Sequence, residues 1–333
     1  MKTVRMIGLA LFAILLCVNF TSCSSNDDVE PDAPQKPKEY VVSLGFTGEI
    51  SVSESPLSRA SGNDLYGIQV YSCPNVDGAT TYTKYAYGLF DDTDLMNIKL
   101  LEGYKYKFVA TMVVDGKNKL LKSNDEGLYT RPFLKNDSPF EYSQITNSFK
   151  ITNTEYFHGL GSGSTGTQNG HASGFERYYG NCVYIVDDSK SVSINMKRVN
   201  FGIKFIADGL TEGTLSVRMK RTNEILITHP ETSHENIYTF EDLDPAYTTD
   251  NYSETISTEL IWTKDDDVVV PLGTHDITFK RNVLTTVTIK VADVTTENGI
   301  GFELETTEMG TEDITIENGE IKDTNVEPGT EQN

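Results

Sequence analysis

The sequence predicts an all-β protein built of β-sandwiches, on three observations. Thr, Val, Ile, Tyr and Phe recur in short alternating runs separated by Gly, Asn, Asp and Pro. No stretch carries the 3.6-residue apolar period of a helix over a convincing length. In the C-terminal half the runs follow one another at the spacing of sandwich strands. A chain of 333 residues is long enough for two domains with cores of their own.

At the N-terminus, Lys2 and Arg5 precede the apolar run Met6 to Val18, too short to span a bilayer as a permanent helix and followed by small residues. This is the pattern of a secretory signal peptide. The run closes on Phe20-Thr21-Ser22-Cys23, which resembles a bacterial lipobox with Phe20 where Leu is usual. The resemblance implies a diacylglyceryl group on the Cys23 thiol and a third chain on its freed amine, a stable anchor where one chain would not hold. The alternative is ordinary cleavage near Ser22. Ser24 to Asp28 is similar to the acidic signals that send lipoproteins of Gram-negative gut and oral anaerobes to the outer surface. With Pro31, Pro34 and Pro37, the segment up to Lys38 reads as an extended tether.

The formal charge is −21, and loss of Lys2 and Arg5 with the signal takes it to −23. Such a surface repels nucleic acid and anionic lipid, so neither is expected as a partner.

The first strand is the most regular. Tyr40, Val42, Leu44, Phe46, Ile50 and Val52 are apolar at period two, with small or polar residues between them from Ser43 and Gly48 as the break. An exposed loop follows, where Pro56, Ser58 and Gly62-Asn63 surround Arg59-Ala60.

Tyr66, Ile68 and Val70 alternate up to Cys73, Thr81 to Phe90 gives a Tyr-rich strand, and Met96, Ile98 and Leu100 a third. In YKYKFVATMVV, residues Tyr104, Tyr106, Phe108, Ala110, Met112 and Val114 share one face. Asp115-Gly116 then signals a hairpin with Lys119 to Lys122 as its return arm. From Ser123 to Tyr179 the pattern loosens into Gly-rich loops of the kind that carry recognition.

In SVSINMKRVNFGIKFIA, Val192, Ile194 and Met196 are in phase, while Val199, Phe201, Ile203 and Phe205 take the opposite parity. A one-residue slip at Lys197-Arg198 requires a bulge or a change of sheet. Further runs at 213–219, 224–228, 236–240, 256–262, 268–270, 276–279 and 283–291 suit a sandwich. Ile300, Phe302 and Leu304 alternate once more, and Ile314 and Ile316 form a weak last strand before an acidic tail. Residue-level repetition between the halves is too faint to define a repeat.

Chemistry-bearing motifs are sparse. Gly161 to Gly166 spells a dinucleotide glycine pattern, but Thr167 to Gly174 is no helix to meet a pyrophosphate. His158, His171, His229 and His234 match no metal spacing. The acidic runs Asp91 to Asp94 and Asp265 to Asp267 lack the loop spacing and bidentate Glu of a calcium site. No serine elbow and no Cys with a His base is present. The reading is therefore of a protein that is not an enzyme and needs no cofactor or metal. A single Trp262 argues against a sugar platform, although Tyr could substitute.

With Cys17 in the signal and Cys23 as the lipid site, Cys73 and Cys182 remain. They permit one disulfide, worth about 4 kcal/mol in the chain-entropy model, or two separately buried thiols.

The order of parts, a lipobox at Cys23, a long strand from Tyr40, PLSRA at 56–60 and NDLYGIQVYS behind it, resembles the fimbrillin family, pilus subunits of Gram-negative gut and oral anaerobes. VSINMKRVNFGIKF and RNVLTTVTIKV look like that family's second domain. The resemblance implies two transthyretin-like Greek-key sandwiches in tandem, and a trypsin-like processing protease that cuts between Arg59 and Ala60. It also implies assembly with other fimbrial subunits by strand exchange.

On that reading the chain divides into a signal peptide 1–22, a tether 23–38, a removable strand and processing loop 39–59, sandwiches 60–190 and 191–310, and a C-terminal strand and tail 311–333. The location would be the outer membrane through the lipid, surface exposed, and the fimbria after processing. The competing class is an uncleaved surface lipoprotein that binds a glycan or a host protein.

Overall fold

In a computed structural model of the chain, the structure describes residues 37–49, 62–123, 127–135, 141–161, 163, 170–291, 302–309, 314–317 and 320–323. Nearly all regular structure is β. The first half contributes β1 (Glu39–Gly48), β2 (Leu65–Pro74), β3 (Thr83–Phe90), β4 (Asn97–Leu101) and β5 (Tyr104–Val113). The short strands β6 (Leu121–Ser123), β7 (Leu128–Tyr129), β8 (Leu134–Lys135), β9 (Lys150–Ile151) and β10 (Phe157–His158) follow, then β11 (Arg177–Ile185) and β12 (Ser191–Arg198).

One sheet runs β4-β1-β12-β11-β5-β2-β3-β9. It folds on itself, so that Val42, Leu44, Ile98, Val192 and Ile194 from one side share an apolar cluster with Ile68, Val70, Phe108 and Met112 from the other. Tyr85 of β3 reaches across to donate its hydroxyl to the Lys99 carbonyl of β4 at 2.7 Å.

The second half holds β13 (Asn200–Asp208), β14 (Thr214–Met219), β15 (Ile225–Thr228), β16 (Ser233–Thr239), a short helix Leu243–Thr248, β17 (Ser253–Thr263), β18 (Val269–Lys280), β19 (Val283–Lys290), β20 (Phe302–Glu308), β21 (Ile314–Glu317) and β22 (Glu320–Asp323). Its two main sheets run β16-β13-β19-β20 and β15-β14-β17-β18. They face each other through residues such as Phe201 and Phe279, whose ring centroids lie 5.1 Å apart.

The same strand path is traced twice. In each half the first strand lies between the fourth and the last of the path, parallel to the last: β4-β1-β12 in the first, β16-β13-β19 in the second. The facing strands repeat as well, β11-β5-β2-β3 against β18-β17-β14-β15. Backbone topology repeats where side-chain identity does not.

The parity slip has its physical cause at Val199. β12 belongs to the eight-stranded sheet and β13 to a four-stranded one, so the chain changes sheets there and the buried side must change with it. Val199 is held by backbone bonds to Arg177 at 3.0 Å and Phe240 at 3.1 Å.

Other expectations are corrected. Asp115-Gly116 does not close a hairpin: Gly116–Lys119 is a turn of helix, and Leu121–Ser123 pairs with β7 instead. The runs at 268–270 and 276–279 are one strand, β18, with an irregularity opposite Leu260/Ile261. The stretch between β5 and β11 is irregular as its composition predicts, yet it is not only surface. Phe133, Phe157 and Leu160 are buried against the outer side of β2 and β5, where a Cβ on Gly67 would meet the Phe133 ring at 2.5 Å. That covering explains why Val109, Thr111 and Val113 are buried as well as the predicted face of β5.

Candidate functional site: the seat of the first strand

β1 forms as an extended segment because its apolar side chains alternate and nothing before Gly48 bends it. Its first half pairs antiparallel with β4, from Glu39 opposite Leu101 to Ser43 opposite Asn97. Its second half pairs parallel with β12, from Ser43 opposite Ser191 to Gly48 opposite Met196. Backbone bonds flank the crossover on both sides, Ser43 N to Lys190 O at 3.0 Å and Leu44 N to Met96 O at 2.9 Å. The strand is therefore internal to the sheet.

Val42 and Leu44 are buried, whereas their neighbour Val41 is 57% exposed. Tyr40 and Phe46 are half-buried, and Phe46 stacks on Tyr66 of β2 at 5.5 Å between ring centroids. Full burial of Val42 and Leu44 alone contributes about 3–6 kcal/mol gross. Ile50 and Val52, expected to continue the strand, lie outside the described residues.

The end of β1 is clasped. Gly48 has φ +88°, and a Cβ there would fall on Asn195 Oδ1 and lie 2.7 Å from the Met196 carbonyl, so the chain can turn away only because no side chain is present. Glu49 follows. Its carboxylate accepts from Arg281 Nη1 at 2.7 and 2.8 Å, from the Arg198 backbone N–H at 2.8 Å and from Asn282 Nδ2 at 3.3 Å. Arg281 Nη1 also donates to the Arg198 carbonyl at 3.1 Å. Arg281 and Asn282 form the turn between β18 and β19, so the clasp joins β1 to the second half of the chain. A lone Glu behind a strand gave no signal for it; its partners are supplied by the tertiary fold.

Cys23, Arg59 and Ala60 lie outside the described residues. Cys73 and Cys182 are free thiols. They sit on β2 and β11, on either side of β5, and the position opposite Cys182 across β5 is Val70, three residues from Cys73. Two strand spacings and three residues of offset place their Cα atoms well over the ~7 Å a disulfide can bridge. The bridge is therefore not formed, and burial pushes the Cys182 thiol up to about 11.

No three His, Cys, Asp or Glu side chains converge among the described residues. Asp91 is engaged by Lys117 and by Asn147 Nδ2 at 2.7 Å, as part of a turn. Trp262 is buried in the second half and donates to the Glu212 carbonyl at 3.0 Å, so it is a core residue.

No family model matches the chain, and no curated protein does. Solved structures do. A fimbrial assembly protein from Parabacteroides distasonis is 12% identical, with a TM-score of 0.34, over 84% of this chain and 100% of that one. A proposed adhesin from Bacteroides thetaiotaomicron is 10% identical, with a TM-score of 0.36, over 86% of this chain and 100% of that one. A C-terminally truncated tip fimbrial protein from Porphyromonas gingivalis is 10% identical, with a TM-score of 0.25, over 73% of this chain and 94% of that one.

Proposed function

We propose that this chain is a subunit of a surface fimbria, made as a precursor lipidated at Cys23, cut between Arg59 and Ala60 by a trypsin-like protease, and assembled by strand exchange. The observation that carries this reading is the seat of β1. The strand is internal to a sheet, yet it is the first strand of the described chain, and the segment bearing Arg59 follows it.

Removing β1 would uncover unpaired backbone donors and acceptors on both β4 and β12, and an apolar trough where Val42 and Leu44 lay. Such edges recruit a strand from a neighbour, and head-to-tail recruitment grows an open fibre. Whole domains are stable by only about 5–15 kcal/mol, so an emptied seat would not persist.

The C-terminal strands match the seat poorly as donors. β1 spans ten residues, while β21 and β22 span four each and pair with one another. We propose a structural or a tip or accessory position; the poor match of these strands favours the second, in which the subunit receives a strand and need not give one.

The test is low-dose trypsin on the purified precursor. One cut at Arg59 followed by ladders on a denaturant-free gel, with both steps blocked by Arg59→Ala, is the expected result. Cuts scattered elsewhere, or a clipped chain that remains monomeric, would overturn the reading in favour of an uncleaved binding lipoprotein.

A further inference from the structure

On the outer side of β2, β5 and β11, away from the β1 seat, a groove of about 470 Å³ opens between the segment Tyr156–Gly161 and the helix Leu243–Thr248. That is the volume range of small-ligand sites. We propose that it binds a saccharide carrying an acidic group.

Register sets its floor. Tyr71 lies directly opposite Lys107, and Gln69 opposite Val109. Tyr179 on β11 is opposite Thr111, four residues along β5 from Lys107. At about 3.4 Å per residue the floor runs about 14 Å, the length of a short oligosaccharide.

The groove is preformed. Its wall at Gly159 and Leu160 is rooted by the fully buried Arg177, whose Nη2 donates to the Leu160 carbonyl at 2.7 Å, the Gly159 carbonyl at 3.3 Å and Thr111 Oγ1 at 3.2 Å. Gln69 ties down the neighbouring strand, accepting from Phe157 N at 3.1 Å and donating to the Ala86 carbonyl at 3.0 Å. Lys84 Nζ sits 3.4 Å from the centroid of the Tyr156 ring and braces it. A wall already in place spares a ligand the cost of ordering it.

The two ends differ in chemistry. At one, Lys107 is half-buried and makes no hydrogen bond or ion pair among the described residues, and neither does the Tyr71 hydroxyl opposite it. In a chain of net charge −21, a half-buried ammonium left without a carboxylate is available to one brought by a ligand. At the other end the exposed Asp244 has Oδ1 fixed by the Tyr179 hydroxyl at 2.7 Å and Asn181 Nδ2 at 3.1 Å, leaving Oδ2 to accept from ligand hydroxyls.

Between the ends lie Gln69, Val109 and Phe157, and the half-buried Tyr71, Tyr82 and Tyr156 also line the groove. Tyrosine offers a flat apolar face with a polar rim, which complements a sugar ring with its C–H faces and hydroxyl edge. A purely apolar ligand would desolvate Lys107 and Asp244 Oδ2 without giving either a partner, and a nucleic acid would meet a chain of its own sign.

The proposal is independent of strand exchange, because the groove exists in the uncut chain. The experiment is calorimetric titration of the full chain carrying Cys23→Ser with lactose, 3′-sialyllactose and tri-galacturonate, with Lys107→Met and Asp244→Asn variants confirmed folded by circular dichroism. Binding of at least one acidic saccharide, stronger than lactose, with Kd raised tenfold or more by Lys107→Met and unchanged by Lys99→Met, is the expected result. Absence of binding by all three, equal binding of lactose, or indifference to Lys107→Met would overturn it.

Discussion

Glu49 and Arg281 lie 232 residues apart in sequence, and Arg281 Nη1 bonds both oxygens of the Glu49 carboxylate, at 2.7 and 2.8 Å. Arg281 is only 10% exposed and Glu49 33%, so the pair is shielded beyond what a surface ion pair enjoys. Glu49→Gln should destabilise the chain by about 1.5–3 kcal/mol, the scale of a hydrogen bond to a charged group, and Arg281→Met by at least as much, since it leaves the carboxylate short of its donor. Urea unfolding measures the loss. Hydrogen exchange should show it concentrated in β1 and the β18–β19 turn; faster exchange spread evenly over the molecule would count against a local clasp.

The alternation in β1 predicts opposite outcomes for neighbouring substitutions. Leu44→Ala opens a cavity between the two sides of the folded eight-stranded sheet and should cost about 2–5 kcal/mol. Val41→Ala, on the exposed side, should change stability by no more than about 0.5 kcal/mol. Equal effects in chemical denaturation would mean that the strand's register is wrong.

Arg177 is buried, with its pKa pushed down by that burial to about 9, so it remains charged at neutral pH. Arg177→Met should leave the Leu160 carbonyl and its neighbours short of a donor, at about 1–3 kcal/mol for each buried acceptor stranded. Arg177→Lys should rescue little, because the lysine stem is one atom shorter and its ammonium falls short of the Nη2 position from which all three bonds are made. Urea midpoints of the two variants decide the point.

Glu155 receives Lys150 Nζ and the Tyr87 hydroxyl, each at 2.7 Å, and those bonds, Lys150 first, hold its carboxyl below the ordinary value. A carboxyl with a lowered folded pKa contributes stability that is present above its unfolded value, about 4.3, and disappears as pH falls through the folded one. The melting temperature should therefore drop as pH falls from about 5 to 3, and Glu155→Gln should reduce that drop. An unchanged acid slope in the variant would remove Glu155 from the account.

What the sequence made legible was periodicity. Tyr40 to Phe46, Val192 to Met196 and Val199 to Phe205 announced their strands, because a buried face writes itself into every second residue, and the parity change at Lys197-Arg198 announced a bulge or a change of sheet, of which the fold has the second. What escaped was whatever depends on partners distant in sequence. Glu49 meets Arg281 only after the whole second half has folded. Arg177 reads as one more charge beside a glycine-rich loop until Thr111 and Leu160 close over it. The twofold strand path escaped for the same reason, since it lies in hydrogen-bond order and leaves little trace in side-chain identity. Trp262, whose isolation argued against a sugar platform, is a core residue, and the tyrosines that line the groove are dispersed over β2, β11 and the loops.

The bonds that hold β1 run across the strand, to β4 along one half and to β12 along the other. A pull on its Glu39 end along the strand axis therefore loads both ladders in shear, and all must slip together, whereas a pull from the side would break them one at a time. Drag along that axis would tighten neither ladder and unzip neither. In mechanical terms β1 is a bolt seated between two rails, with Glu49 as its catch, and the catch sits at the end away from the pull.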